Sequence, residues 1–233
     1  MKKMLSTIVK LTAGAALLFA LGSCDNGTTN NNDGDELSAF NGSPSYAVKW
    51  DGTFNPDYSS DGVKIEMVSD GTVAATSKGA MALNNAAGST MVGENAGFFG
   101  SKTAVNFVDT GGAWGGLFFH LDPQLDLSSV DKIYVAVKGD LNGTKYFGLK
   151  LQSGDPDPSF EVNFLKYPAS NGGDGWTIYT VPVSEFTNGG VDMSQFLGLG
   201  LWNPNLVDGT TEERDKPENY PALTDVKLCV AFE

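Results

Sequence analysis

The residues whose types and spacing could do chemistry fall mainly in one stretch, Trp114 to Gln152, which reads WGGLFFHLDPQLDLSSVDKIYVAVKGDLNGTKYFGLKLQ. It holds three alternating runs separated by turn-rich breaks. Along an extended chain successive side chains point to opposite faces. Trp114, Phe118 and His120 therefore share a face in the first run, Tyr134 and Lys138 in the second, and Tyr146, Lys150 and Gln152 in the third. Aromatic planes interleaved with amides and charges suit a sugar: the rings meet the apolar C–H face of a pyranose, and the polar groups meet its hydroxyls. The opposite parity sends Leu117, Phe119, Leu121, Ile133, Val135, Val137, Phe147, Leu149 and Leu151 into a core.

The same parity extends the polar face. With Phe160, Val162 and Phe164 inward, Glu161 and Asn163 face outward; with Leu197, Leu199 and Leu201 inward, Gly198, Gly200 and Trp202 face outward. The glycines would leave open space in front of Trp202, forming a groove. The candidate ligand-binding set is thus Trp114, Phe118, His120, Tyr134, Tyr146, Lys150, Gln152, Glu161, Asn163 and Trp202. Plainer readings compete. Tyr134 and Tyr146 could cover a sheet without binding anything, and Lys138, Lys150 and Glu161 could be a solvated charge cluster. Trp176 is assigned to packing.

Catalysis finds little to work with. His120 is the only histidine, so a histidine relay or a two-histidine metal site has nothing to build on. Carboxylates are plentiful, but no strand-like run carries them at alternating positions facing one groove, as a two-carboxylate glycosidase would need. The reading is a protein without catalysis. Asp57 to Gly62 begins like a calcium loop, but Val68 stands where an EF-hand needs its bidentate glutamate.

Composition sets the surroundings. Lys2, Lys3 and Lys10 precede or open an apolar run, Leu11 to Leu21, that is too short to span a bilayer but suits a signal-peptide core. It ends in Leu21-Gly22-Ser23-Cys24, which resembles the bacterial lipobox whose cysteine is lipidated. Residues 1–23 therefore read as a lipoprotein signal peptide, Cys24 as the lipidation site, and 24–37 (CDNGTTNNNDGDEL) as a flexible tether with too little apolar content to fold. The mature protein is expected on a membrane of the bacterial cell envelope, outside the cytoplasm, held by its acyl chains. Loss of the signal leaves 12 basic residues (15 less those three lysines) against 28 acidic ones. So acidic a chain is a poor partner for nucleic acid. Arg214 is the only arginine, which disfavours a site that grips phosphate or carboxylate, and neutral ligands fit best. Cys229, in a strand-like run, reads as a buried inert thiol.

Residues 38–233 read as a single antiparallel β-domain, since Gly, Asn, Asp and Pro punctuate short alternating runs and long helical periodicity is missing. Strands are predicted at Tyr46–Trp50, Val63–Val68, Thr72–Thr76, Ala80–Asn84, Thr103–Val108, the three central runs, Phe160–Phe164, Trp176–Val183, Leu197–Trp202 and Val226–Phe232. Ser69-Asp70-Gly71 reads as a hairpin turn. Short helical turns are expected at Ser184–Phe186 and within Val191–Phe196. The loop Asn203 to Leu223 is long enough to be functional, with a solvated excursion as the alternative.

The order of these runs resembles the galactose-binding-like jelly-roll modules, in particular carbohydrate-binding module family eleven and the complex I intermediate-associated protein family. The residues that carry it are Gly116 to Phe119, Asp126 to Ile133 leading into Val135 to Gly139, Trp176 to Phe186, and the closing Asp225 to Phe232 run; together they cover most of residues 100–233. The resemblance implies an all-β sandwich whose concave sheet holds a glycan, with β-glucan as the family's ligand. It also implies a structural calcium near the two termini, with Asp225 as the matching residue; no other cofactor is expected. Alternatives are an adhesin or assembly module that binds a protein partner, and a small jelly-roll glycoside hydrolase.

Overall fold

The computed structural model describes residues 36–52, 63–70, 72–76, 81–84, 90–94, 97–101, 104–110, 115–154 and 158–233. The signal, Cys24, most of the tether, the calcium-like loop at Asp57 to Gly62 and Trp114 lie outside the described residues. In chain order the strands are β1 (Tyr46–Gly52), β2 (Val63–Ser69), β3 (Thr72–Thr76), β4 (Met81–Asn84), β5 (Thr90–Glu94), β6 (Ala104–Thr110), β7 (Gly116–Leu125), β8 (Lys132–Lys138), β9 (Tyr146–Ser153), β10 (Ser159–Asn163), β11 (Ala169–Gly173) and β12 (Trp176–Pro182). Helix α1 (Ser184–Asn188), β13 (Phe196–Asn205), helix α2 (Thr211–Arg214) and β14 (Ala222–Phe232) complete the order. Residues 36–233 make one compact unit.

The strands form two antiparallel sheets, the sandwich expected from the alternation. The larger has the order β11-β12-β8-β14-β1-β2-β3, with β6 pairing the first half of β14 and β5 pairing β6; the smaller has the order β10-β9-β13-β7-β4. Consecutive central runs therefore do not lie side by side. β7 and β9 flank β13 in the smaller sheet, and β8 crosses to the larger one between β12 and β14.

The predicted core parity holds where both faces are decided by packing. Leu117, Phe119, Leu121, Phe147, Leu149, Leu151, Leu199 and Leu201 point inward from the smaller sheet, and Ile133, Val135, Val137, Leu228, Val230 and Phe232 meet them from the larger. Phe196 and Phe232 touch edge to face across the gap, ring centroids 5.5 Å apart. Burying each such side chain contributes about 1.5–3 kcal/mol. The parity fails in two places. Leu197 is only partly buried because a bulge between Phe196 and Gly198 shifts the register. On edge strand β10 Val162 is partly buried and Phe160 stays 38% exposed, its ring over Gly189.

Local chemistry explains most of the remaining elements. Asp70 adopts φ 47° at the β2–β3 hairpin. Asn163, Asp192 and Thr210 each accept a backbone N–H at the start of a helical turn. Strand β11, ASNGG, carries no alternation that a sequence reading could use. It exists through its pairing with β12 and through Ala39, which bridges Asn171 in parallel.

Candidate functional site

The two outer faces of the sandwich differ. On the larger sheet Tyr134, Ala136, Trp176, Ile178, Cys229 and Ala231 point away from the core, yet each is at least nine-tenths buried. Phe40, Phe98 and Phe99 cover them. Phe40 meets Tyr134 edge to face at 5.0 Å, and Phe98 packs on Trp176 at 5.4 Å. The Phe98 N–H reaches the Cys229 sulfur at 3.3 Å, and burial pushes that thiol up to about 12, so it is inert as expected.

Tyr134 thus lies on the outer face of the larger sheet, under Phe40 and Phe99, and not on the sheet that carries the other described candidates, which corrects its placement on one polar face with them. Its hydroxyl donates to Glu233 Oε2 at 2.7 Å, and burial, then that bond, hold the phenol well above its usual range. Lys138 leaves the polar face for the same reason. Trp176, 6% exposed with the Lys138 ammonium 5.9 Å from its ring centre, packs as predicted.

Among the described residues, no aromatic ring from outside the sheet packs over Phe118 and Trp202 on the outer face of the smaller sheet. Cross-strand register brings the remaining candidates into rows: Glu161, Lys150, Gly200 and Phe118 in one, and Ser159, Gln152, Gly198 and His120 in the next. A third row holds Asn163, Gly148, Trp202 and Gly116. Phe118, His120, Lys150, Gln152, Glu161 and Trp202 are all half-buried. The glycines do not leave open space. A Cβ on Gly200 would meet the Phe118 ring at 2.5 Å and one on Gly198 would meet it at 3.1 Å; a Cβ on Gly116 would meet the Trp202 indole at 2.1 Å. The two rings rest on the backbone of the neighbouring strand, each reaching across the β7–β13 seam from the opposite side. Glycine lets a ring lie down where any side chain would prop it up. His120 meets Phe118 edge to face at 4.8 Å, and the Lys150 ammonium sits 5.9 Å from its centre.

Tyr146 and Asn163 share this parity but not its exposure. Tyr146 is 6% exposed: the Arg214 guanidinium lies 3.9 Å from its ring centre, and its hydroxyl donates to Glu161 Oε1. Burial, then that carboxylate, raise the phenol above its ordinary range and keep it a donor. Asn163 Oδ1 accepts the Phe147 and Leu165 N–H groups, and its Nδ2 donates to the Lys145 carbonyl and Asp208. Both are removed from the contact set: Tyr146 braces Glu161, and Asn163 caps a turn.

The loop after β13 supplies what the sequence reading missed. Helix α2 is fixed by a capping box between Thr210 and Glu213, and Asp208 pairs with Lys166 at 2.6 Å. That places Arg214 over Tyr146. The only signal in the sequence was that this is the sole arginine. Asp225, the calcium candidate, points into solvent and pairs with the Lys227 ammonium at 2.8 Å. No group of three or more His, Cys, Asp or Glu side chains placed to hold a metal occurs among the described residues.

The architecture is thus an antiparallel β-sandwich of jelly-roll class with one covered and one aromatic outer face. No protein-family model matches the chain, and no curated protein does. Among solved structures it is similar to a family 11 carbohydrate-binding module from Clostridium thermocellum in complex with a β-1,3-1,4-mixed-linked tetrasaccharide. That match has 14% identity and a TM-score of 0.38, over 65% of this chain and 84% of that one. It is also similar to the family 11 module of a cellulosomal cellulase from the same organism, with 13% identity and a TM-score of 0.38, over 79% of this chain and 91% of that one.

Proposed function

We propose that the protein is a non-catalytic carbohydrate-binding lipoprotein of the bacterial cell envelope, which holds a neutral poly- or oligosaccharide on the outer face of its five-stranded sheet. One observation carries the reading: Phe118 and Trp202 rest on glycine backbone, partly exposed, beside the acceptor and donor groups of Glu161, Lys150, Gln152 and His120. A ring held in this way stacks on a pyranose at little cost in side-chain entropy. Polar groups interleave with the rings, whereas the centre of a protein–protein interface is more continuously apolar. That favours a glycan over the adhesin alternative.

A hydrolase reading finds little support. Asp208, from the loop after β13, reaches the Asn163 end of this face, where its carboxylate is engaged by the Asn163 amide at 3.2 Å and the Lys166 ammonium at 2.6 Å. The carboxylates carried by the strands of this face among the described residues are Glu161 on β10 and Asp122 on β7. Three strand spacings of about 4.8 Å, and four residues of about 3.4 Å along β7, separate them. Glycosidase pairs stand roughly 5–9.5 Å apart.

The test is affinity electrophoresis of residues 36–233, the compact unit that holds the whole described core. Gels would contain β-glucan, xylan, mannan or no polysaccharide. The expected outcome is retardation in at least one polysaccharide gel, lost in Trp202→Ala while the variant keeps its circular dichroism. Equal mobility in every gel would overturn the proposal.

A further inference from the structure

We infer that Tyr146 and Arg214 are positioning residues that lock Glu161 as a fixed hydrogen-bond acceptor for the bound ligand; this rests on the carbohydrate-binding reading above. Glu161 stands on edge strand β10, where a carboxylate would ordinarily sample several rotamers. Two contacts restrain it here, and a third restrains its partner. Oε1 accepts the Tyr146 hydroxyl. The carboxylate lies against Gly148, where a Cβ would meet Oε1 at 2.7 Å and the Trp202 carbonyl at 3.0 Å. Tyr146 itself cannot swing, because the Arg214 guanidinium covers its ring.

Arg214 is anchored in turn. Its Nη1 donates to the Gly209 carbonyl at 2.9 Å, and its own carbonyl accepts Asn205 Nδ2 at 2.7 Å, with Asn205 fully buried. Its Nε is buried without a hydrogen-bond partner among the described residues. A donor left in that state costs free energy; beside the Nη1 bond to Gly209, the guanidinium's close contact is the face of Tyr146. The chain's one arginine is thus spent on the side of a tyrosine that faces away from the core.

Glu161 Oε2 takes no partner among the described residues. With Oε1 committed to Tyr146 and the side chain partly exposed, Oε2 is left to accept a ligand hydroxyl. Lys150, directly opposite on β9, offers donors next to it. An acceptor and a donor side by side, one row from the Trp202 ring, read two adjacent hydroxyls of a stacked sugar. Fixing the acceptor before the ligand arrives removes an ordering cost from binding.

The experiment is a double-mutant cycle on the full-length protein in detergent, with soluble mixed-linked β-glucan, xylan and mannan as probes. Tyr146→Phe should lower affinity about tenfold, the weight of one hydrogen bond to a charged group. In a Glu161→Ala background it should change affinity less than about twofold. Arg214→Met, which removes the brace from outside the core, should repeat both results and stands in should Tyr146→Phe unfold. Losses that multiply in the double variants, or unchanged affinity in both single brace variants, would overturn the inference while leaving the binding face intact. A wild-type protein that binds none of the three glycans would overturn the carbohydrate-binding reading and, with it, this one.

Discussion

Trp202 and Tyr146 have the same parity and opposite fates. Both point away from the core on neighbouring strands, yet Trp202 is half-exposed on Gly116 while Tyr146 is sealed under Arg214. Sequence alternation chooses a face; what lies on that face is decided by residues far along the chain. The glycines show the same point from the other side. Gly116, Gly198 and Gly200 look like gaps in a strand, and they act as seats for rings. Gly116→Ala should therefore act at a distance of one strand. The new methyl group would meet rigid ring atoms at 2.1 Å and must lift the indole. Glycan affinity should fall by about tenfold, the weight of one well-made ring contact. Near-ultraviolet circular dichroism of tryptophan would report the displaced ring, and unchanged affinity would show that Trp202 is not a stacking partner.

At the scale of elements, most strands were legible, β5 and β11 were not, and the pairing of none could be read. Alternation in β7, β8 and β9 names the inward residues of each run, because inward from either sheet obeys the same period. It carries no record that β8 crosses to the other sheet, and this is why Tyr134 was grouped with Phe118 and Tyr146. The link Asp126 to Asp131 makes the crossing: Leu127 and Val130 are buried, and Asp126 caps the turn through the Ser128 N–H. Strand β11 left no pattern because its stability comes from neighbours.

The segment leading into β1 is equally dependent on its neighbours. It is clasped by Glu233, whose carboxylate takes the Lys132 ammonium at 2.6 Å, the Tyr134 hydroxyl and the Ser43 N–H. Those partners, Lys132 first, hold the carboxyl down at about 2 against an ordinary 4.5. A depressed carboxyl contributes stability above its unfolded value and loses it as pH falls through the folded one. The melting temperature should therefore drop between about pH 4.5 and 2, and Glu233→Gln should start lower at neutral pH and drop less over that window. Parallel curves for the two proteins would show that the clasp contributes nothing.

For the whole molecule the asymmetry of the sandwich is the main result. One outer face is buried under Phe40, Phe98 and Phe99, and the other presents Phe118 and Trp202 among polar groups. Composition favours a neutral partner, and the proposed reading lays it on the face that carries Phe118 and Trp202. The proposed lipid anchor belongs to this scale as well. With Cys24 acylated, the protein should partition with membranes when expressed in a bacterium, and Cys24→Ala should not; equal partitioning would contradict the anchor. The central claim, that the five-stranded sheet is the ligand face, is tested most directly by amide chemical shifts of residues 36–233 during titration with mixed-linked β-glucan oligosaccharide. The account predicts perturbations at Phe118, His120, Lys150, Gln152, Glu161 and Trp202. Perturbations gathered instead at Phe40, Phe98, Phe99 and Tyr134 would contradict it.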